Sequence, residues 1–327
     1  MINNDLKKLE ETIINFIRIS KSSKILIPIS GGQDSIFLIK LLSITKRKHL
    51  LKNIKLSYLY IDHQWKNNSK KQIEHIINYI KSVKEKIIIY QIKNITISES
   101  KCRKLRYHII TKHAIKHKYT LIITGHNCTD KIENFIRNII RGSGIESLNS
   151  LNLCSQITKN IFLIRPLINF ERTSIYWLCK KYCLPIWSDS TNYVYKIERN
   201  RVRQELVPYI QNYLQKNINH NIIRLSKNYQ SENEYIKQNT IKLYLKNRHP
   251  FKMAINYSKL KKQNFILKKK TIELFCFHNF QIHLDKQQLT NFIKAIDKNN
   301  NKLCSKLENK YFQVFIYKSW LYVSIKE

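Results

Sequence analysis

An apolar run, Ile25-Leu26-Ile27-Pro28-Ile29, leads straight into Ser30-Gly31-Gly32-Gln33-Asp34-Ser35, and a second apolar run beginning Ile36-Phe37-Leu38-Ile39 follows. The pattern predicts a strand, a glycine turn and a helix. Two adjacent glycines let the backbone turn tightly and bring its N–H groups close to a ligand, with no Cβ in the way. Those donors, the Ser30 and Ser35 hydroxyls and a helix N-terminus together make an anion cradle. The loop is not a Walker A motif, whose GxxxxGK[ST] spacing and lysine are missing. A plain strand-to-helix turn is the competing reading of the hexapeptide taken alone.

In its context the hexapeptide resembles the SGGxDS loop of the N-type ATP pyrophosphatases, which cleave ATP to AMP and pyrophosphate. Composition adds weight to the loop. The chain is crowded with Lys, Asn, Ile and Tyr, whose codons are AT-rich, and it holds five glycines: Gly31, Gly32, Gly125, Gly142 and Gly144. A bias that drains glycine from ordinary turns leaves it where the backbone cannot do without it.

Lys and Arg number 59 against 22 Asp and Glu, a formal net charge of +37. Such an excess favours a polyanionic partner, nucleic acid first, although codon bias also inflates lysine without selection for binding. At 327 residues and 43% hydrophobic, the chain suffices for one large domain and a smaller one. No apolar run approaches the roughly 20 residues of a membrane span, and residues 1–11 lack a signal-peptide core. A soluble protein with no membrane partner is expected. Seven scattered cysteines show no CxxC or CxxC…HxxxH pattern, which argues against a zinc site and for a reducing compartment.

Residues 1–22 carry a helical apolar period. Beyond the glycine loop, strands are expected at 55–61, 87–90 and 121–123, and helices at 69–82 and 98–118. Strands alternating with helices indicate an α/β fold, a parallel sheet flanked by crossover helices. Ligands bind such sheets at the carboxyl ends of the strands, where Ser30, His63 and Gly125-His126 all fall. These motifs are therefore expected to converge on one pocket.

After Thr124-Gly125-His126-Asn127 a helix is expected, with Ile132, Phe135, Ile136, Ile139 and Ile140 on its buried face. Asp130, Glu133, Arg137 and Arg141 fall on the other face. Acids there either serve the helix dipole and solvated ion pairs or face a nucleotide pocket, holding Mg2+ or a cationic substrate. A further helix is expected at 171–183, then a short edge segment at 184–187. Arg199, Arg201 and Arg203 break the lysine bias, as guanidinium does where planar contact with phosphate or carboxylate matters; a solvated basic helix start is the alternative. Residues 217–246 read as a polar helix, 259–270 as a basic cluster, and 311–325 as a hairpin turning at Lys318-Ser319. Basic side chains among aromatics suit RNA, and a small core under a lysine surface explains them equally.

In order along the chain stand the loop at 30–35, the strand-end His63, Glu99 with Arg103, Arg106 and Tyr107, and the GHxxxDxxE set of His126, Asp130 and Glu133. Then come Arg141-Gly142-Ser143-Gly144, Arg165-Pro166-Leu167, Asp189-Ser190-Thr191-Asn192 and Arg199-Asn200-Arg201-Val202-Arg203. Over residues 25–210 this series resembles the tRNA(Ile)-lysidine synthases. Asn127 and Thr129 depart from that family's paired histidines and paired aspartates, and Cys102 stands where alanine is common.

The resemblance implies a Rossmann-like, adenine nucleotide alpha hydrolase-like catalytic domain at 1–212 and a smaller, mostly helical tRNA-binding domain at 213–327. It implies ATP and Mg2+ as cofactors, with tRNA(Ile) bearing a CAU anticodon and free L-lysine as partners. Ser30, Gly31, Gly32, Gln33, Asp34, Ser35, His63 and His126 would hold ATP, and Asp34 and Asp130 the metal. Arg103, Arg106, Asn200 and Arg203 would bind substrate, and Asp34, Asp130, Glu133 and Arg199 would be catalytic. Codon bias and compact length point to a plastid stroma or a reduced bacterium's cytoplasm, and a homodimer stays open as an assembly. Two rival readings also stay open: a tRNA thiolation enzyme on the same scaffold, and a non-catalytic basic RNA-binding protein.

Overall fold

The computed structural model describes residues 2–49, 51, 53–64, 69–92, 99–148, 151–187, 198–297 and 312–325. The chain divides into two compact units, Met1–Ser226 and Lys227–Glu327.

The first unit opens with α1 (Ile2–Ile19), β1 (Lys24–Ile29), α2 (Gln33–Lys48), β2 (Lys55–Asp62), α3 (Ser69–Ser82), β3 (Lys86–Gln91), α4 (Glu99–Lys116) and β4 (Leu121–Ile123). It continues with α5 (Cys128–Ile140), α6 (Ile145–Leu148), β5 (Cys154–Thr158), β6 (Ile161–Ile164), α7 (Arg172–Lys181), α8 (Glu198–Arg201) and α9 (Val207–Tyr209). The strands form one sheet in the order β3-β2-β1-β4-β6-β5. Every pairing is parallel except that of β5 with β6.

The central strands are apolar on both faces, as a parallel sheet covered on both sides requires. Ile25, Leu26 and Ile27 of β1, Tyr58 and Leu59 of β2, and all of β4 are fully buried. One face packs beneath α1, α2, α3 and α7, with Ile13, Phe37, Ile76 and Ile175 in its core. The other packs under α4 through Leu26, Leu59, Ile122, Ile110 and Ala114.

Two sequence expectations are corrected here. Residues 184–187 form no strand; Leu184 and Ile186 pack against the first core layer instead, so their apolar character reflects plugging rather than pairing. Ile139 and Ile140 are exposed, because α5 buries both its isoleucine face and its acidic face in the first turns and reaches solvent only in the last. The antiparallel β5–β6 hairpin, which extends the sheet, had no forecast.

The unit boundary falls within α10 (Ile218–Asn247). The second unit adds β7 (Ala254–Asn256), α11 (Tyr257–Lys261), α12 (Phe265–Phe280), α13 (Lys286–Asp297), β8 (Phe312–Tyr317) and β9 (Trp320–Ile325). Its antiparallel sheet runs β7-β9-β8. The β8–β9 hairpin turns at Lys318, which takes a φ of 54°, and Ser319. Ile255, Leu260, Phe275, Leu289, Phe292 and Leu321 form the core. The basic stretch at 259–270 is thus the end of α11 and the start of α12. No helix among the described residues is long and apolar enough to cross a membrane.

Candidate active site

β1 lies between β2 and β4, both parallel to it, so the chain leaves neighbouring strands here and opens a crevice at their carboxyl ends. The loop after β1 is held from beneath. Gln72 Nε2 of α3 donates to Ser30 O at 2.9 Å, Ser30 N donates to Ser35 Oγ at 3.1 Å, and the two hydroxyls lie 3.1 Å apart. Gly31 has a φ of +79°, and a Cβ there would come 2.7 Å from Ile76 Cδ1. Gly32 caps α2 without any side-chain hydrogen bond, which leaves the first-turn amides available to an anion. At the end of β4, a Cβ on Gly125 would meet Asp34 O at 3.2 Å. The two strand-end loops therefore touch, and a side chain at 125 would force the Asp34 backbone to give way by a few tenths of an ångström.

The acids of α5 lie at this contact. Asn127 Oδ1 accepts from Asp130 N at 3.0 Å while Asp130 Oδ2 accepts from Asn127 N at 3.1 Å, a reciprocal capping box. Asp130 Oδ1 accepts from Nη2 of both Arg199 and Arg203. Glu133, 1% exposed, accepts from Arg199 Nε at 2.7 Å and from Arg203 Nε. Two carboxylates and two guanidiniums thus close into a quartet. Arg199 is on α8 and Arg203 on the π-helical turn Val202–Leu206 that follows, a backbone form often found at functional sites. Further along α5, Arg137 and the C-terminal capping residue Arg141 both donate to Glu198 of α8.

The quartet sets the local electrostatics. Burial pushes the Asp130 carboxyl up, but Arg199, His126 and Arg203 outweigh it and hold its pKa below the usual range. Asp34 moves the other way. Burial first and the Asp130 charge second raise it to about 6, against the pull of Arg172, Asn127 and Gln33. Asn127 Nδ2 lies beside Asp34, yet is buried without an acceptor at hydrogen-bond geometry among the described residues. His126 is lowered to about 4 by burial, aided by Arg165, Arg103 and Arg199 and opposed by Asp130. Its Nδ1 pairs with Thr124 Oγ1 at 2.9 Å, and the ring is neutral at physiological pH.

The structure therefore brings the loop at 30–35 together with His126, Asp130, Glu133, Arg199 and Arg203. His63, at the end of β2, accepts at Nε2 from Arg106 at 3.3 and 3.4 Å. Arg103 lies over the Tyr107 ring at 5.8 Å. Arg165 is buried and donates to Asn152 O and Ser155 Oγ, and Asn200 is buried. The Glu99 side chain and Asp189, Ser190, Thr191 and Asn192 lie outside the described residues.

Sequence reasoning missed Asn127 and Arg172. The first had a signal, an Asn three residues before an Asp at a helix start. Arg172 had none: its carbonyl accepts from Gln33 Nε2 at 2.9 Å, and its amide donates to Oγ1 of Thr129, where the aspartate is absent. Among the described residues no group of three His, Cys, Asp or Glu is placed to hold a metal. Burial lifts the thiols of Cys128 and Cys179 to about 11 and about 12, which makes them poor nucleophiles.

Comparison with known proteins follows the same lines. Residues 3–210 match the model of the PP-loop domain, so this is a PP-loop protein by sequence as well as by the strand–loop–helix geometry. The chain is 42% identical over 316 residues to the chloroplastic tRNA(Ile)-lysidine synthase of Gracilaria tenuistipitata var. liui, covering 97% of each chain. It is 30% identical to the chloroplastic tRNA(Ile)-lysidine synthase of Pyropia yezoensis, over 98% of this chain and 95% of that one. The chain belongs to the tRNA(Ile)-lysidine synthase family. Among solved structures it is similar in fold to a U34-tRNA thiolase from Methanococcus maripaludis, with a TM-score of 0.51 and 18% identity over 62% of this chain and 72% of that one.

Proposed function

We propose that this protein is an ATP-dependent ligase that joins free lysine to carbon 2 of the wobble cytidine in tRNA(Ile) with a CAU anticodon. The observation that carries this reading is one crevice holding both a glycine phosphate loop and a buried pair of carboxylates, in a chain matched over nearly its whole length by tRNA(Ile)-lysidine synthases.

A cytosine carbonyl is a poor electrophile, and its oxygen leaves only once it carries AMP. The loop amides and the Ser30 and Ser35 hydroxyls would bind the polyphosphate and stabilise the charge that grows on departing pyrophosphate. Neutral His126 would pack at the nucleotide as a hydrogen-bonding group without adding charge. The incoming lysine carries an ammonium that must be held and then deprotonated before attack. Asp130 and Glu133 supply two negative charges for this, and Arg199 and Arg203 cancel both. An ammonium would therefore be accepted as a guanidinium turns from its acid towards phosphate. Arg103, Arg106, Asn200 and Arg203 are assigned to substrate, and residues 213–327 to tRNA.

Mg2+ is bound by one or two carboxylates together with phosphate oxygens, and the donor set here suits it. Asp34 is raised by burial first and by the nearby Asp130 charge second, so a cation at this carboxyl would relieve the repulsion between the two acids. Both Asp130 oxygens already accept hydrogen bonds, which makes Asp34 the primary ligand and Asp130 the second. The ion would neutralise phosphate charge when bound. A thiolation reading finds no support in the high-pKa buried thiols. The chloroplastic relatives make a plastid stroma the proposed location.

The test is purified protein with transcribed tRNA(Ile), ATP and radiolabelled lysine, with a tRNA lacking the wobble cytidine as control. Lysine incorporation with release of AMP and pyrophosphate is expected. Absence of incorporation beside an active control enzyme would overturn the assignment.

A further inference from the structure

The outer face of α7 carries Tyr176 and Trp177, with Trp177 64% exposed. Tryptophan has a GC-containing codon and is scarce here, four in the chain, so a solvent-facing one stands against the composition. Two others have neighbours that account for them: Trp187 lies against His75 at 5.5 Å and Trp320 against His249 at 4.9 Å. Trp177 instead shares a cation with Tyr176. Lys180 Nζ is 4.9 Å from the Tyr176 ring centroid and 5.4 Å from that of Trp177.

The helix that carries this face starts at the active site and ends at a basic cavity. Arg172, the first residue of α7, interacts with Asp34 and accepts from Gln33. Trp177 is five residues further on, about 7.5 Å along the helix axis. Past the helix end, Tyr182 enters the wall of a cavity of about 820 Å3 with Lys40, Lys46, Arg47 and Lys84. Glu85 takes up Lys46 at 2.7 Å, and among the described residues the other three cations have no carboxylate partner. Tyr79 Oη in the same wall is buried and has no hydrogen-bond partner among the described residues.

We propose that this surface holds a single-stranded segment of the RNA substrate, Tyr176 and Trp177 stacking on unpaired bases beside the reacting nucleotide and the cavity cations taking its phosphates. The inference rests on the RNA-ligase reading above. Aromatics interleaved with cations are what a flexible strand requires, since every base has a π-face and every nucleotide a phosphate. A second copy of this chain fits poorly, because a formal charge of +37 on each copy opposes pairing of two lysine-bearing faces.

The experiment is tRNA binding and steady-state kinetics with the full-length protein and Trp177→Ala, Tyr176→Ala and Lys40→Ala/Arg47→Ala/Lys84→Ala variants. Both aromatic variants remove exposed rings, and circular dichroism checks that they fold. Trp177→Ala is expected to raise KM and Kd for tRNA by ~10-fold, as loss of one stacked base does, with the effect in KM rather than kcat and with rescue by Trp177→Phe. The triple variant is expected to flatten the dependence of log Kd on log salt. Unchanged tRNA affinity in every variant would overturn the inference. So would a Trp177→Ala protein that binds tRNA normally but changes sedimentation, since the face would then join copies of the chain. Lysine incorporation by wild type with tRNA binding indifferent to Trp177 sinks this inference alone. Trp177-dependent tRNA binding without lysine incorporation supports it while sinking the ligase reading.

Discussion

Asp130 caps its own helix through Asn127 with one carboxylate oxygen and meets Arg199 and Arg203 with the other. One side chain therefore serves both the start of α5 and the charge pattern of the crevice. The orientation of the acid is fixed by the cap, so its chemistry is coupled to local stability.

Asn127→Ala removes the acceptor for the Asp130 amide and frees the Asp130 backbone. Loss of an N-cap of this kind costs about 1 kcal/mol, with a range of about 0.5–2. Urea denaturation is expected to show that loss, and lysine incorporation at subsaturating lysine is expected to fall more than stability alone explains. Asn127→Ser, which retains a capping oxygen, is expected to recover most of the stability.

The quartet makes a second test available. Glu133→Gln leaves Arg199 and Arg203 facing one charge where two were present, and Arg203→Met leaves Glu133, at 1% exposure, with half its partners. Breaking a buried pair from one side costs about 3–5 kcal/mol. Either single substitution is expected near that magnitude, and the double substitution is expected to cost clearly less than the sum. Equal additivity in a denaturation cycle would show that the charges do not act as a unit.

The two perturbed titrations oppose each other over one pH window. Asp34 rises from 3.8 to about 6, so between those values the folded protein holds a proton that the unfolded chain has released. Its stability contribution is full below about pH 4 and is lost as pH rises to 6. His126 falls from 6.5 to about 4, so the unfolded chain takes up the proton first and stability is lost as pH falls through that range. Asp34→Asn is expected to be more stable than wild type at pH 8, with the gain vanishing near pH 4. His126→Gln is expected to gain relative to wild type near pH 4.5 and not at pH 8. Urea midpoints at four pH values between 4 and 8 decide both signs.

The sheet was legible because its signal is local and repeated. Buried parallel strands must be near-continuous apolar runs, and β1, β2 and β4 are written that way; the helix at 69–82 emerged with those bounds. The meeting of the loop at 30–35 with the end of β4 was legible through topology, since neighbouring strand ends lie together wherever a parallel sheet reverses its order. What escaped was set by long-range packing. Ile139 and Ile140 have a helical period, and nothing local says that α5 leaves the core before reaching them. That Asp130 and Glu133 face inward was one of the two readings their positions allowed, but their pairing with Arg199 and Arg203, more than 60 positions away, is written in no local pattern. Arg172 contributes mainly its backbone to Gln33 and Thr129, which no side-chain motif reports.

Gly125 offers the sharpest test of the crevice, because its constraint is steric and its neighbour is backbone. A methyl group there would sit 3.2 Å from Asp34 O and 3.3 Å from Asp34 C, and neither atom can rotate away as a side chain would. Gly125→Ala is therefore expected to displace the first turn of α2 from β4 by a few tenths of an ångström. The fold should tolerate this at about 1–3 kcal/mol, the range for modest overpacking. The phosphate loop should tolerate it less well, since misplacing positioned groups by about 1 Å costs about 100-fold in rate and a few tenths of an ångström costs a share of that. Gly31→Ala is the comparison: its φ of +79° adds backbone strain, and its Cβ would meet the Ile76 side chain at 2.7 Å, which can shift. The expected outcome is a greater stability loss for Gly31→Ala and, per unit of stability lost, a greater loss of ATP-dependent adenylation for Gly125→Ala. Urea denaturation and pyrophosphate release with tRNA measure the two quantities, and equal ratios in both variants would show that Gly125 is a packing glycine with no part in placing the loop.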